Sequence, residues 1–141
     1  MKLAIAQAGL VVMLFSGTAV AKGVSIDPGL WEMTVTVAMP MLPQPQADTS
    51  TECITETELN PEDFNQDEDM PCDIGNVVIN GNSANWTISC PNPSGPPMSG
   101  RWEFTSKGSS ITGSGSMSMD MGDQKMVMDM TWTGHRIGNC D

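Results

Sequence analysis

The chain has 141 residues, 39% of them hydrophobic, and its 17 acidic against six basic side chains leave a formal charge of −11. That length suits one domain with a modest core. That charge repels phosphate backbones and anionic lipid surfaces, which excludes nucleic acid as a partner.

Residues 1–21 read as a secretory signal peptide, with Lys2 as the positive start, Ala8 to Phe15 as the apolar stretch and Ala19-Val20-Ala21 as a small-x-small cleavage site. The apolar run is too short to span a bilayer, and no later stretch approaches the ~18 apolar residues that a transmembrane helix needs. The expected product is a single soluble domain over 22–141 in the periplasm, with no transmembrane segment after cleavage; a retained N-terminal anchor is the alternative. Cys53, Cys72, Cys90 and Cys140 all fall in the mature part. An even count without a C-x-x-C pair favours two disulfides over a metal site, with three connectivities open.

The first strand lies in "LWEMTVTVAM", where Trp31, Met33, Val35, Val37 and Met39 share one face and Glu32, Thr34 and Thr36 the other. Pro40, Pro43 and Pro45 end it, because each lacks the amide donor of a ladder. Residues 40–72 read as irregular. The span from Asp48 to Asp73 holds 10 of the 17 acids and no Lys or Arg, the composition of a solvated loop. A short helix over Glu56 to Leu59, capped by Thr55, is the single helical element expected.

"DIGNVVINGNSANWTISC" reads as a hairpin turning at Asn80-Gly81, with Val77 and Ile79 facing the same way as Ala84, Trp86 and Ile88. Cys72 and Cys90 then meet at its open end, which leaves Cys53 to pin the irregular segment to Cys140. Strict alternation points Cys72 to the wrong side, so the ladder is expected to break at Pro71. Three more strands follow, over 98–106, 109–121 and 125–134. A two-residue turn at Lys107-Gly108 pairs Trp102 with Gly113 and Met98 with Met117. A turn centred on Asp123-Gln124 pairs Met119 with Met128, Met117 with Met130, and Gly115 with Trp132. Each tryptophan thereby faces a glycine, where a ring covers bare backbone. The expected fold is all-β: an antiparallel meander of about six strands forming a curved sheet or open barrel.

The apolar face of that sheet comprises Trp31, Met33, Trp86, Trp102, Met117, Met119, Met128, Met130 and Trp132. Met and Trp are adaptable linings for a lipid, quinone or other apolar molecule, or for a protein partner of the envelope. A second reading is a Cu(I) site formed by Met117, Met119, Met128 and Met130, because thioethers suit that soft ion. A third is a filled core with function confined to the loops. No resident cofactor is expected.

Asp63, Asn65 and Asp67 alternate like the start of a calcium loop, yet Glu68 and Ile74 stand where the glycine and the closing acid belong. His135 is the single histidine and falls on the outer face. Asn85-Trp86-Thr87 matches a glycosylation sequon without a context that would use it. No nucleophile or acid–base pair is suggested, so enzymatic activity is not expected.

"PGLWEMTVTVAMPMLP" after an export signal, followed by "CIT", "PCDI", "W-x-I-S-C", "GRWEF", the Gly-Ser-Met strand and a terminal "GNC", resembles the domain-of-unknown-function family thirty-six seventeen, small exported bacterial proteins. The resemblance spans essentially the whole mature chain. It implies a Gram-negative envelope location and supplies no activity, ligand or catalytic residue.

Overall fold

A computed structural model describes residues 23–65 and 71–141. The expected signal peptide and much of the calcium-like stretch lie outside the described residues. In chain order the strands are β1 (Val24–Ser25), β2 (Gly29–Ala38), β3 (Gln46–Ile54), β4 (Glu58–Leu59), β5 (Asp73–Asn80), β6 (Ser83–Cys90), β7 (Met98–Ser106), β8 (Ser110–Asp120) and β9 (Lys125–Gly138), with a 3-10 helix over Pro61–Asn65 between β4 and β5. Seven strands form one antiparallel sheet in the order β3-β2-β9-β8-β7-β6-β5, and β1 pairs with β4 in a small second ladder. The sheet is open, with β3 and β5 at its edges.

The meander of β5 to β9 follows from turn chemistry and period-two patterning. Its registers differ from the expected ones by two residues, because each later turn is centred one residue away from its expected place. Lys107 N donates to Ser110 O and Met121 N to Gln124 O, so these hairpins turn on Gly108-Ser109 and Gly122-Asp123, with Gly108 and Gly122 supplying the positive φ. Trp102 therefore opposes Gly115, and Trp132 opposes Gly113, with Met117 across from Met128 and Met119 from Met126. A shift of two leaves every side chain on its expected face, so the apolar side is preserved. The first hairpin turns at Gly81-Asn82, flanked by the Asn80–Ser83 pair, with Gly81 at φ +61°.

Four glycines show why large residues lie flat on this sheet. A Cβ built on Gly113 would sit 2.1 Å from the Trp132 ring, one on Gly115 2.3 Å from the Trp102 ring, and one on Gly100 2.5 Å from Met117 Sδ. One on Gly134 would sit 2.2 Å from Met33 Sδ. Each large side chain occupies the place where its neighbour's Cβ would be.

Two expectations on 40–72 are corrected. Gln46–Ile54 is a nine-residue strand, paired with β2 from Val37–Gln46 to Gly29–Ile54. An edge strand with both faces wetted needs no apolar alternation, so its periodicity was invisible. Thr34 and Thr49 share a hydroxyl hydrogen bond across the pair at 2.9 Å. The expected helix over Glu56–Leu59 is absent: Glu58 and Leu59 pair with Ser25 and Val24, and the helical turn comes later.

The disulfides are Cys53–Cys140 and Cys72–Cys90, as the strand positions suggested, with Cα separations of 5.6 and 4.1 Å. The orientation of Cys72 has a specific cause. Between Gly75–Thr87 and Val78–Asn85 the β5–β6 register shifts by one, which inserts an extra residue at Asn76-Val77. This bulge reverses the parity of β5, so Cys72 comes opposite Cys90. Asn76 adopts φ 50°, which its short polar side chain tolerates, and its Nδ2 donates to Thr87 Oγ1 at 3.1 Å. In the loop-entropy account the shorter bridge contributes about 3 kcal/mol and the longer about 4–5 kcal/mol.

The core sits on one side of the sheet, beneath a strap running from Gly23 to Pro28. Val24, Ile26, Trp31, Phe104 and Ile111 are buried there. Ser106 Oγ donates to Ser25 O at 2.7 Å, Trp31 Nε1 to Asp27 O at 2.9 Å and Arg136 Nε to Pro28 O at 2.7 Å. These bonds tie the strap to β7, β2 and β9.

Replacing Gly113 with alanine forces a methyl into the Trp132 ring, and overpacking of this kind costs about 1–3 kcal/mol. Gly113→Ala is expected to lower the urea midpoint accordingly. Gly138→Ala, whose Cβ meets nothing within 4 Å, is expected to stay within about 0.5 kcal/mol of the parent. Equal midpoints for the two variants would contradict the ring-over-glycine packing.

Candidate functional site

The apolar side of the sheet is hollow. A cavity of about 340 Å³ opens between the sheet and the segments that cross it, a volume at the lower end of small-molecule sites. Its floor is made by alternate residues of five adjacent strands: Met33 and Val35 from β2, Met130 and Trp132 from β9, Ile111 from β8, Trp102 from β7, and Trp86 and Ile88 from β6. Strand alternation alone brings these side chains to one surface. Trp102 and Trp132 lie with ring centroids 5.3 Å apart. They can do so because each rests on a glycine of β8.

The remaining walls come from the crossing segments. Ile26 belongs to the N-terminal strap, Ile54 to the end of β3, Leu59 to β4 and Phe64 to the 3-10 helix. Phe64 stacks on Trp86 at 5.6 Å with an interplanar angle of 18°, and lies 5.8 Å from Phe104. It nevertheless remains 50% exposed. Phe64 and Glu52 are the exposed members of the lining, so they mark the mouth. Glu52 is also the single charged member among the described residues. It joins Glu56 and Asp63 around an adjoining hollow, so the approach is acidic.

Two donors at this site lack acceptors. The indole N–H groups of Trp86 and Trp102 are buried, and neither has a hydrogen-bond partner among the described residues. The two tryptophans stand directly opposite each other in the β6–β7 ladder. A buried donor left unpaired costs about 1–3 kcal/mol. Trp31, by contrast, spends its N–H on the Asp27 carbonyl.

The structure divides the expected apolar face in two. Met33, Trp86, Trp102, Met130 and Trp132 line the cavity, together with Ile26, Ile54, Leu59 and Phe64, which sequence reasoning did not place there. The first three of these four residues sit in the strap, in an edge strand and in a two-residue ladder, where no periodicity announces an inward side chain. Trp31 is fully buried but lies outside the lining. Met117, Met119 and Met128 also lie outside it, farther along β8 and β9. Met117 is buried over Gly100, and Met119 sits in a row between Met98 and Met126. Met130 opposes Gly115 rather than Met117.

The opposite face is wetted, as its Thr and Ser content predicts. His135 lies there with its Nε2 3.7 Å from Glu32 Oε1, both exposed. Among the described residues no group of three or more His, Cys, Asp or Glu could hold a metal ion, and no helix is long and apolar enough to cross a membrane.

No curated protein and no solved structure matches the chain. A family model does, over residues 26–140, and its description is "Protein of unknown function" (DUF3617). The match takes in the end of the strap, both disulfides, every strand of the large sheet and the whole cavity lining, and so the chain belongs to the DUF3617 family of proteins of unknown function.

Proposed function

We propose that this protein is a non-enzymatic periplasmic binding protein that holds an apolar small molecule in the cavity between its sheet and its crossing segments. One observation carries the reading: a space of about 340 Å³ walled by tryptophan, isoleucine, methionine and phenylalanine side chains. Protein interiors are close-packed, so an apolar hollow of this size is a feature that folding alone does not require. The two disulfides fit an oxidising compartment, and the N-terminal sequence fits export into it. Adaptable Met33 and Met130 within an aromatic wall suit a ligand of irregular shape.

The neutral fluorescent probe N-phenyl-1-naphthylamine is expected to bind with enhanced emission. Val35→Trp, which fills the cavity from β2, is expected to weaken that binding by about tenfold or more while leaving the fold intact by circular dichroism. Native mass spectrometry of protein purified from its own host is expected to show an added mass that Val35→Trp lacks. No probe binding by the parent, or undiminished binding by the variant, would sink this reading.

A second reading is Cu(I) capture at the methionine end of the sheet. It is supported by the cross-strand row of Met98, Met119 and Met126 and the adjacent pair Met117–Met128. Met119, Met126 and Met128 are only half-buried, which leaves their thioethers within reach of an incoming ion. In a Cu(I) titration against a competing chelator, replacing Met117, Met119, Met128 and Met130 together with leucine should abolish competition, since leucine keeps volume without sulfur. Unchanged competition would eliminate the copper site.

A further inference from the structure

Resting on the cavity reading above, we infer that the occupant is an amphiphile with a cationic head. Its apolar body fills the cavity, and an ammonium or comparable cation rests at the mouth against Glu52.

The apolar cavity and the acidic hollow beside it adjoin along a shared wall. Glu52, Ile54, Leu59 and Phe64 line both. A molecule longer than the cavity therefore emerges beside the second hollow, which Glu56 and Asp63 complete. Three carboxylates surround the place where its head group stands.

Glu52 reaches that wall by register. It opposes Trp31 in the β2–β3 ladder, and directly paired residues project to one side of a sheet. Its carboxylate is thus carried on the apolar side rather than the wetted one. No Lys, Arg or His lines either hollow among the described residues. The one ion pair among those residues, His135 with Glu32, lies on the opposite face. A carboxylate on an otherwise apolar lining, with two more acids beside it, draws a cation and repels an anion. Phe64, half exposed at the same mouth, adds ring surface that attracts a cation further. The apolar walls accept a tail of any kind, and the charge selects the head. A neutral head gains nothing from Glu52, and a carboxylate head meets like charge.

Decylammonium, decanol and decanoate share one tail and differ in the head. Each is titrated at neutral pH against bound N-phenyl-1-naphthylamine, in about 0.15 M salt, where exposed charges farther than about 8 Å are largely screened. In the parent, decylammonium is expected to displace the probe at a lower concentration than decanol, and at about tenfold lower concentration than decanoate. Glu52→Gln is expected to weaken decylammonium by about threefold, the scale of one exposed charge pair, and to strengthen decanoate. Decanol and the probe itself are expected to bind this variant as they bind the parent. With Glu52→Gln/Glu56→Gln/Asp63→Asn the two charged compounds are expected to compete alike. Asp129→Asn removes the same unit of charge from the exposed opposite face, and is expected to change none of the three.

Decanol or decanoate displacing the probe as well as decylammonium does, in the parent, would overturn the cationic head and leave the apolar pocket standing. So would an Asp129→Asn variant that loses as much decylammonium affinity as Glu52→Gln, because the attraction would then belong to the net charge of the chain. Failure of N-phenyl-1-naphthylamine and of all three compounds to bind the parent would overturn the pocket itself.

Discussion

The packing of large side chains over glycines is the constraint on which the molecule depends. In a sheet built from alternating residues, a tryptophan ordinarily stands away from the backbone and fills the space above its own strand. Here Trp132 and Trp102 lie across Gly113 and Gly115, and Met117 and Met33 lie across Gly100 and Gly134. Removing a Cβ lets each side chain settle onto the neighbouring strand. The central floor is consequently low, and the space above it stays open. The same feature that stabilises the sheet, by burying aromatic surface against backbone, is what leaves room for a ligand. Gly113 and Gly115 thus act on the site without being part of its wall.

The open sheet then has to protect two edges, and it does so differently at each. At β3 the exposed edge is polar along its length. Asp48 and Glu52 oppose Val35 and Trp31 in the ladder and share their side of the sheet, and charges facing inward on an edge strand discourage pairing with another chain. At β5 the bulge at Asn76-Val77 breaks the ladder and twists the strand. That bulge also sets the parity that lets Cys72 reach Cys90. Glu52 therefore has a double effect: it guards an edge, and it makes the cavity mouth acidic.

The cavity belongs to no single supersecondary unit. Its floor needs β2 beside β9, a pairing of residues about 100 apart in the chain, as in Val35–Trp132. Its walls need the strap, the end of β3, β4 and the 3-10 helix to cross the same face. Cys53–Cys140 joins the end of β3 to the C-terminus, and so holds Ile54 near the floor. Burial of Ile26 and Val24 under bonds from Ser106 and Trp31 anchors the strap on the other side. A hollow with walls fixed this way persists because its boundaries are tied covalently or by partly buried hydrogen bonds.

What was legible in the chain is what short-range chemistry dictates. Period two from Met98 to Gly134 marked three strands and assigned Trp102, Ile111, Met117, Met130 and Trp132 to one side, and that held although both hairpin registers differed by two. The pairing of a tryptophan with each of Gly113 and Gly115 was also legible, with the two partners exchanged. The disulfide connectivity followed from strand ends, but the bulge that allows it did not, because Asn76 looks like any polar residue of a strand. β3 was missed because an edge with two wet faces carries no apolar rhythm, and Leu59 and Phe64 because a two-residue ladder and a 3-10 turn have no periodicity to read. The amino-acid order alone determined the strands of the meander and their faces, since alternation and turn residues act between near neighbours. Only the tertiary structure decided that the face is hollow, because a void is a property of surfaces brought together from distant parts of the chain.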